Sequence, residues 1–254
     1  MADVDAARVL ALEQVVELEE QRRAMYLVRR LFPDAGPLRR EKYAKHLRFF
    51  AAGAVHQERA FIAANRVGKS EAGTFECTHH LTGEYPWWWE GRRFETPVSM
   101  WAAGDTGKTT RDILQVKFLG PPSALGTGMI PAHLIVHKTP KSGVPDAFET
   151  IWVRHVPTGG TSVLALKSYD QRREAFQGTS QHVVLLDEEC PEDIYTECLL
   201  RTMILPGEEQ LDPEARRGGI VMLTFTPLMG LTPVVLSFLP GGTMTEGPVV
   251  EVAA

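Results

Sequence analysis

The stretch Phe61-Ile-Ala-Ala-Asn-Arg-Val-Gly-Lys-Ser70 constrains this chain more than any other. An apolar run feeds a short loop of small residues that ends in Gly68-Lys69-Ser70 before a helix-compatible segment. The spacing Ala63-x-x-x-x-Gly68-Lys69-Ser70 fits the phosphate-binding P-loop pattern, with Ala at the place of its first Gly. Each part has a chemical task. Backbone N–H groups of Ala64, Asn65, Arg66, Val67 and Gly68 wrap a phosphate at a helix N-terminus. The Lys69 ammonium reaches the β and γ phosphates, and the Ser70 hydroxyl ligates Mg²⁺. The motif demands a strand–loop–helix unit in a parallel sheet and predicts a nucleoside triphosphate as ligand.

A second stretch completes the chemistry. In His182-Val-Val-Leu-Leu-Asp-Glu-Glu-Cys190, four consecutive apolar residues read as a strand buried on both faces and ending in acid. Asp187 is the candidate metal carboxylate, and Glu188 beside it the group that orients and deprotonates a water. Glu189 is the rival base; alternation of side chains at a strand end favours Glu188. A competing loop, Ala102-Ala-Gly-Asp-Thr-Gly-Lys-Thr109, fits the P-loop pattern too. Charge separates the two: the first loop sets Arg66 beside Lys69, whereas the second puts Asp105 where a triphosphate would sit. The second is read instead as a strand-to-helix turn capped by Asp105 or Thr106.

The chain has 254 residues, 44% of them hydrophobic, enough for one sizeable α/β core with a helical appendage. No apolar stretch approaches the roughly 20 residues of a membrane span, and the N-terminus lacks a signal-peptide layout, so a cytoplasmic protein with no membrane partner is expected. Cys77, Cys190 and Cys198 form no CxxC pair, which suits a reducing compartment and argues against structural zinc. Cys77 with His79 and His80 reads as a helix leaving the P-loop rather than a metal site. The net charge of −5 advertises no nucleic-acid footprint over the whole domain. A DNA partner would need a local patch: Lys167 with Arg172 and Arg173, Lys138 with Lys141, or Arg216 with Arg217.

Residues 5–31 carry Val9, Leu12, Val16, Met25, Val28 and Leu31 at helical spacing, which predicts one long amphipathic helix. Pro33, Gly36 and Pro37 break it, and a second helix is predicted from Leu38 to Ala52. Residues 1–57 form the appendage, from which Tyr43 and His46 are candidates for adenine contact. Strands are predicted at 60–64, 98–103, 151–156, 162–166, 183–186 and 220–224, with a hairpin at Pro157-Thr-Gly-Gly160. Helices follow the P-loop, Thr109 and Pro191. The alternation predicts a mostly parallel sheet flanked by helices over residues 58–240, its site at one end. Trp87 to Trp89 read as a loop packed on the core, with base stacking as the alternative. Residues 241–254 read as a linker or truncated tail.

Three motifs in order, Ala64-Asn-Arg-Val-Gly-Lys-Ser70, the Asp187-Glu188 strand and Thr224-Phe-Thr-Pro227, resemble the ATPase domain of the large terminase subunit of tailed bacteriophages. The stretch from Lys167 to Gly178, Trp101-Ala-Ala-Gly-Asp-Thr106 and Thr110-Arg-Asp112 add to the resemblance, which spans residues 43–238. It implies a P-loop NTPase of the additional-strand catalytic-glutamate (ASCE) type. Lys69 and Ser70 would grip phosphate and Mg²⁺, Asp187 the metal, Glu188 the water, and Arg66 the developing charge. Family members often carry that arginine where this chain has Asn65. Thr224 and Thr226 would match the coupling motif that senses the γ phosphate. A neighbour's arginine, worth ~10³ to 10⁵ in rate, would come from Arg111, Arg154, Arg172, Arg173 or Arg201, with Arg172 or Arg173 favoured.

The resemblance further implies an ATP-driven ring, a pentamer docked on the portal of a procapsid, pushing double-stranded DNA in the host cytoplasm with a small terminase subunit as partner. The nuclease domain of full-length members has no counterpart here, so translocation without cleavage is expected. Two rivals stand beside this reading: another DNA-dependent ATPase such as a helicase, and a nucleotide-gated assembly module that does not hydrolyse.

Overall fold

The structure, a computed structural model, describes residues 12–16, 26–206, 208, 210–211 and 217–239. Seven strands form one sheet in the order β1-β7-β6-β2-β5-β4-β3. Their bounds are β1 Glu58–Ile62, β2 Ser99–Gly104, β3 Ile135–Pro140, β4 Phe148–Arg154, β5 Thr161–Ser168, β6 Val183–Asp187 and β7 Ile220–Phe225. The run from β1 through β7, β6 and β2 to β5 is parallel throughout, and β4 then pairs antiparallel with both β5 and β3. β7 lies between the P-loop strand β1 and the acidic strand β6. That inserted strand is what the ASCE arrangement requires.

The helices that pack on the sheet are α1 Ala44–Ala52, α2 Lys69–Thr82, α3 over residues 107–119, α4 Glu192–Thr202 and α5 Pro233–Ser237. α3 is continuous but carries a π-helical stretch, Thr110–Gln115, in its middle. Every residue of β6 and β7 is buried, as expected of strands covered on both faces. Val183 and Leu185 join one core with Phe50 of α1, Phe75 and Leu81 of α2 and Phe118 of α3. Val184 and Leu186 join the other, with Ile194 and Cys198 of α4, Val235 of α5 and Phe176. Period-two alternation thus gives each side of the sheet its own apolar layer.

All six predicted strands are present, and the hairpin at residues 157–160 joins β4 to β5. β3 was not predicted. The single amphipathic helix over residues 5–31 is corrected where it can be seen: residues 12–16 are helical, but Tyr26 is extended (ψ 135°) and Leu27–Arg30 make one turn before Leu31 extends again. Beyond that turn the backbone leaves the helical region altogether: Phe32 sits at φ 53°, buried in the core with Val28, while Arg29 pairs with Glu84 at 3.1 Å. Residues 1–11, 17–25 and the predicted tail 241–254 lie outside the described residues. The helix predicted from Leu38 begins as a 3₁₀ turn, Arg40–Tyr43, and becomes α-helical only at Ala44.

α2 sits close against the sheet. A Cβ on Gly73 would come within 2.7 Å of Leu185 Cδ1 and 3.2 Å of Thr224 Cγ2, so glycine there lets the helix behind the P-loop rest on β6 and β7. Of the Trp cluster, Trp89 is buried among Phe50, Phe75 and His80, Trp88 is half-buried, and Trp87 is 77% exposed with Arg40 over its ring at 4.8 Å.

Candidate nucleotide site

The loop between β1 and α2 turns through two left-handed residues, Arg66 (φ 64°) and Gly68 (φ 85°). Ala63 has no positive φ, which explains why Ala serves at the place of the pattern's first Gly. The first N–H groups of α2 have no carbonyl one turn back, and Ala72 is the first to bond, to Gly68 O at 2.9 Å. The loop therefore presents free donors and a positive dipole end to its concave side. Ala64, Asn65, Arg66 and Val67 are exposed around it.

Lys69 is only 6% exposed, and its ammonium is held in place by two acceptors: Ala64 O at 3.0 Å and Thr226 Oγ1 at 2.8 Å. Thr226 Oγ1 also lies 2.8 Å from Ala63 O and 2.7 Å from Asn65 Oδ1, one of which takes its single proton. The end of β7 thus fastens the loop and its lysine together. Asp187 closes β6 at 2% exposure, accepting from Thr224 Oγ1 at 2.7 Å and from the Ser70 hydroxyl. Burial pushes its carboxyl up, and the two hydroxyls, Lys117 and Lys69 pull against that without cancelling it.

Glu188 follows at φ 66°, a left-handed conformation that turns its side chain out of the strand. Its carboxyl is raised by burial first and by Asp187 next, with Lys69 opposing, which moves it toward the range where a carboxylate accepts a proton usefully. Glu189 is engaged elsewhere, its carboxylate accepting from Thr232 ahead of α5. Thr224 is wholly buried with its hydroxyl on Asp187, so it orients that carboxylate rather than facing the loop. The two hydroxyls of the expected coupling pair therefore have different jobs.

His46 and Tyr43 do not lie open for a base. His46 is buried between Phe32, Tyr43 and Phe61, with its Nε2 3.2 Å from where a Cβ on Gly68 would stand. It braces the loop from behind. Burial lowers its pKa, keeping it neutral. Tyr43 is half-buried, its ring edge-on to Phe32 and His46.

The rival loop is closed. Thr106 Oγ1 accepts from Thr109 N–H at 3.2 Å while Thr109 Oγ1 accepts from Thr106 N–H at 2.9 Å, a capping box that uses the donors a phosphate would need. Among the candidate arginines, Arg173 (2.9 Å) and Arg201 (3.0 Å) both hold the buried Glu197. Arg111 pairs with Asp112 and Arg154 caps Gly159 O. Arg172 is exposed, at φ 62°, and its guanidinium makes no bond among the described residues. The same contacts thin the expected DNA patches. Lys167 lies over Trp101 at 4.6 Å, Lys138 over Phe148 at 5.4 Å, and Lys141 is 3.4 Å from Ser168 Oγ. Arg216 lies outside the described residues, and Arg217 is tied through its backbone to Gln57 and Arg92. On α2, Cys77, His79 and His80 are buried, with His79 on Glu84 O and His80 on Glu76 and Tyr85.

Residues 60–248 match the family described as "Terminase large subunit, T4likevirus-type, N-terminal". The chain belongs to that family. It is similar to the "Terminase, large subunit" of Salmonella phage P22, 32% identical over 256 residues that cover 93% of this chain and 47% of the relative. The chain thus spans about half the length of the curated relative it matches. Among solved structures, the "Thermus Phage P74-26 Large Terminase ATPase domain" aligns at 17% identity and TM-score 0.45 over 78% of this chain and 72% of that one. The large terminase of another thermophilic bacteriophage, solved "in complex with ADP", aligns at 15% and 0.42 over 73% and 38%. Neither is close enough to transfer a residue role.

Sequence reasoning did not anticipate the bond between Lys69 and Thr226, the contact of His46 with the loop, or Tyr169, whose hydroxyl lies 2.9 Å from Asp187 O. The Thr-Phe-Thr motif was the one signal for the first. His46 was marked by its closeness to the loop but for another role, and Tyr169 only as part of the stretch Lys167 to Gly178.

Proposed function

We propose that the chain is the ATP-hydrolysing part of a DNA-packaging motor. In this reading it binds Mg-ATP at residues 64–70, hydrolyses it with Glu188, and drives double-stranded DNA into a procapsid as one subunit of a ring. The observation that carries it is the convergence at one end of the sheet of the loop's free N–H donors, buried Lys69, the Ser70–Asp187 pair and Glu188. The similarity to the large terminase subunit of Salmonella phage P22 supports the biological setting.

The donor set fits Mg²⁺. A buried carboxylate and a hydroxyl already in contact with it offer two oxygen ligands, leaving the rest to phosphate and water, as this ion prefers. Held by Asp187 and Ser70, Mg²⁺ would offset negative charge on the triphosphate. The protein's own groups do the rest. Thr224 holds Asp187 so that an oxygen faces the loop. Lys69 is already desolvated beside Thr226 and exchanges its acceptors for phosphate oxygens at little reorganisation cost. Glu188, its carboxyl raised, takes the proton of a water lined up on the γ phosphoryl. Arg66, exposed in the loop, would supply positive charge toward the transferring group. Thr226 bridges the loop to the end of β7, so a shift of Lys69 on loss of the γ phosphate would reach that strand end.

The wider setting belongs to the same proposal: a pentameric ring on the portal, a small terminase subunit as partner, the host cytoplasm as location, and Arg172 as the arginine offered to a neighbour. No described helix is long and apolar enough to cross a membrane. The test is steady-state ATP hydrolysis with and without linear double-stranded DNA, in the wild type and Glu188→Gln. DNA-stimulated turnover that falls by ~10² or more in the variant while ATP binding persists is the expected result. Strand separation of the DNA would indicate a helicase instead. Nucleotide binding with no turnover on DNA would indicate a gated assembly module.

A further inference from the structure

We infer that Tyr169 is a positioning residue for Glu188, its hydroxyl fixing the peptide plane from which the general base projects. The inference rests on the reading of Glu188 as the base. Glu188 is held in a left-handed conformation that an ordinary side chain adopts only when its surroundings force it. Two bonds hold the peptide that leads into it. The Glu188 N–H donates to Thr224 O at 3.0 Å, and the carbonyl at the other end of the same peptide, Asp187 O, accepts from Tyr169 Oη at 2.9 Å. With its N–H and its C=O both pinned from neighbouring elements, this peptide cannot rotate, and the position of Cα188, from which the side chain departs, is set. The same hydroxyl lies 3.3 Å from Glu188 O and 3.4 Å from Ala103 O, so it stands among three carbonyls at the ends of β6 and β2.

Tyr169 cannot easily drift away. It is 7% exposed in the apolar layer with Phe176 and Cys190. The next residue is fastened to the other side of the site mouth: Asp170 N–H donates to Asp105 O at 3.2 Å, and Asp170 Oδ2 accepts from Gly107 N–H at 3.2 Å. Two residues further on, Arg172 leaves the turn at φ 62° with its side chain exposed. One short strap therefore grips the turn bearing the base, the loop after β2, and the segment that carries the exposed arginine.

The test is Tyr169→Phe in the full chain, which keeps the ring and removes only the oxygen. ATP turnover on double-stranded DNA, ADP affinity and amide hydrogen exchange are measured in the wild type, the variant, Glu188→Gln and the double variant. We expect kcat to fall ~10-fold or more, since a displacement of about 1 Å can cost ~10², while ADP affinity stays within about 2-fold. Tyr169→Phe adds nothing on the Glu188→Gln background, where the group it places is already gone. The Glu188 amide exchanges faster in Tyr169→Phe, while those of Val184 to Leu186 stay protected; this readout does not depend on turnover. Unchanged turnover and exchange would overturn the inference, as would an equal fractional loss on both backgrounds or a parallel loss of ADP binding. Failure of the underlying reading has a separate signature: Glu188→Gln would turn over like the wild type.

Discussion

Beneath the P-loop helix lies a buried charge cluster whose cost can be worked from the structure. Arg59 of β1 is 6% exposed, Glu76 of α2 is 0% exposed, and their side chains are in direct contact. His80, also at 0%, lies 3.2 Å from the same carboxylate oxygen. Burial lowers the His80 pKa, so it is neutral; its Nδ1 takes the Tyr85 hydroxyl proton at 2.9 Å and its Nε2–H faces Glu76. Tyr85 Oη in turn accepts from Phe94 N–H at 2.8 Å. Burial pushes the Glu76 carboxyl up, but Arg59 and His80 together bring it below its ordinary range, so it is an anion.

Glu76→Gln keeps the shape and removes the charge, leaving Arg59 buried and uncompensated. Breaking such a pair costs about 3–5 kcal/mol. Arg59 retains the face of Phe49 at 4.8 Å and Met222 Sδ at 3.1 Å, which puts the expectation at the low end, about 3 kcal/mol. For a chain this long that is a fall in Tm on the order of 6–12 °C. Urea denaturation followed by circular dichroism measures it. Because the folded pKa of Glu76 is depressed, the pair's contribution is present above the ordinary carboxylate range and lost as pH falls through the folded value. The gap between wild type and variant must therefore close in acid. Arg59→Met with Glu76→Leu, which removes both charges, should recover most of the loss. A Glu76→Gln change under 1 kcal/mol, or a double variant less stable than the single one, would refute the reasoning.

Two further outcomes are expected. Glu189→Gln should leave ATP turnover within about 3-fold of wild type, because Glu189 is committed to Thr232, and steady-state kinetics beside Glu188→Gln decides which carboxylate is the base. Burial lowers the His79 pKa to about 3 from 6.5, so its contribution is whole above pH 6.5 and is lost as pH falls. About 2 kcal/mol should disappear between pH 7 and pH 5, and His79→Gln should flatten that limb in a Tm-against-pH series.

What the sequence made legible was carried by local chemistry. Val183 to Leu186 could only be a strand covered on both faces, and Asp105 was enough to set the second loop aside. What it hid depended on partners far away in the chain. β1 begins at Glu58 rather than residue 60 because the charges of its first two residues are answered elsewhere: Glu58 by Tyr195 and Arg59 by Glu76. β3 has no alternating pattern; with His137, Lys138 and Pro140 on a bulged edge, it exists through its pairing with β4. Thr224 was expected to sense phosphate, and only the register that sets it opposite Asp187 shows its hydroxyl on that carboxylate instead. Tyr43 and His46 precede the loop closely in sequence, as read, but packing uses them as its backing rather than as a platform for a base.

The central claim, that residues 64–70 with Asp187 hold Mg-ATP, is tested most directly by titrating a fluorescent ATP analogue with Mg²⁺ into the wild type, Lys69→Ala and Lys108→Ala. Saturable binding is expected of the wild type and of Lys108→Ala, with binding weakened ~10-fold or more in Lys69→Ala alone, the loss of one charge-assisted contact at a desolvated site. Equal binding by Lys69→Ala and the wild type would contradict that claim.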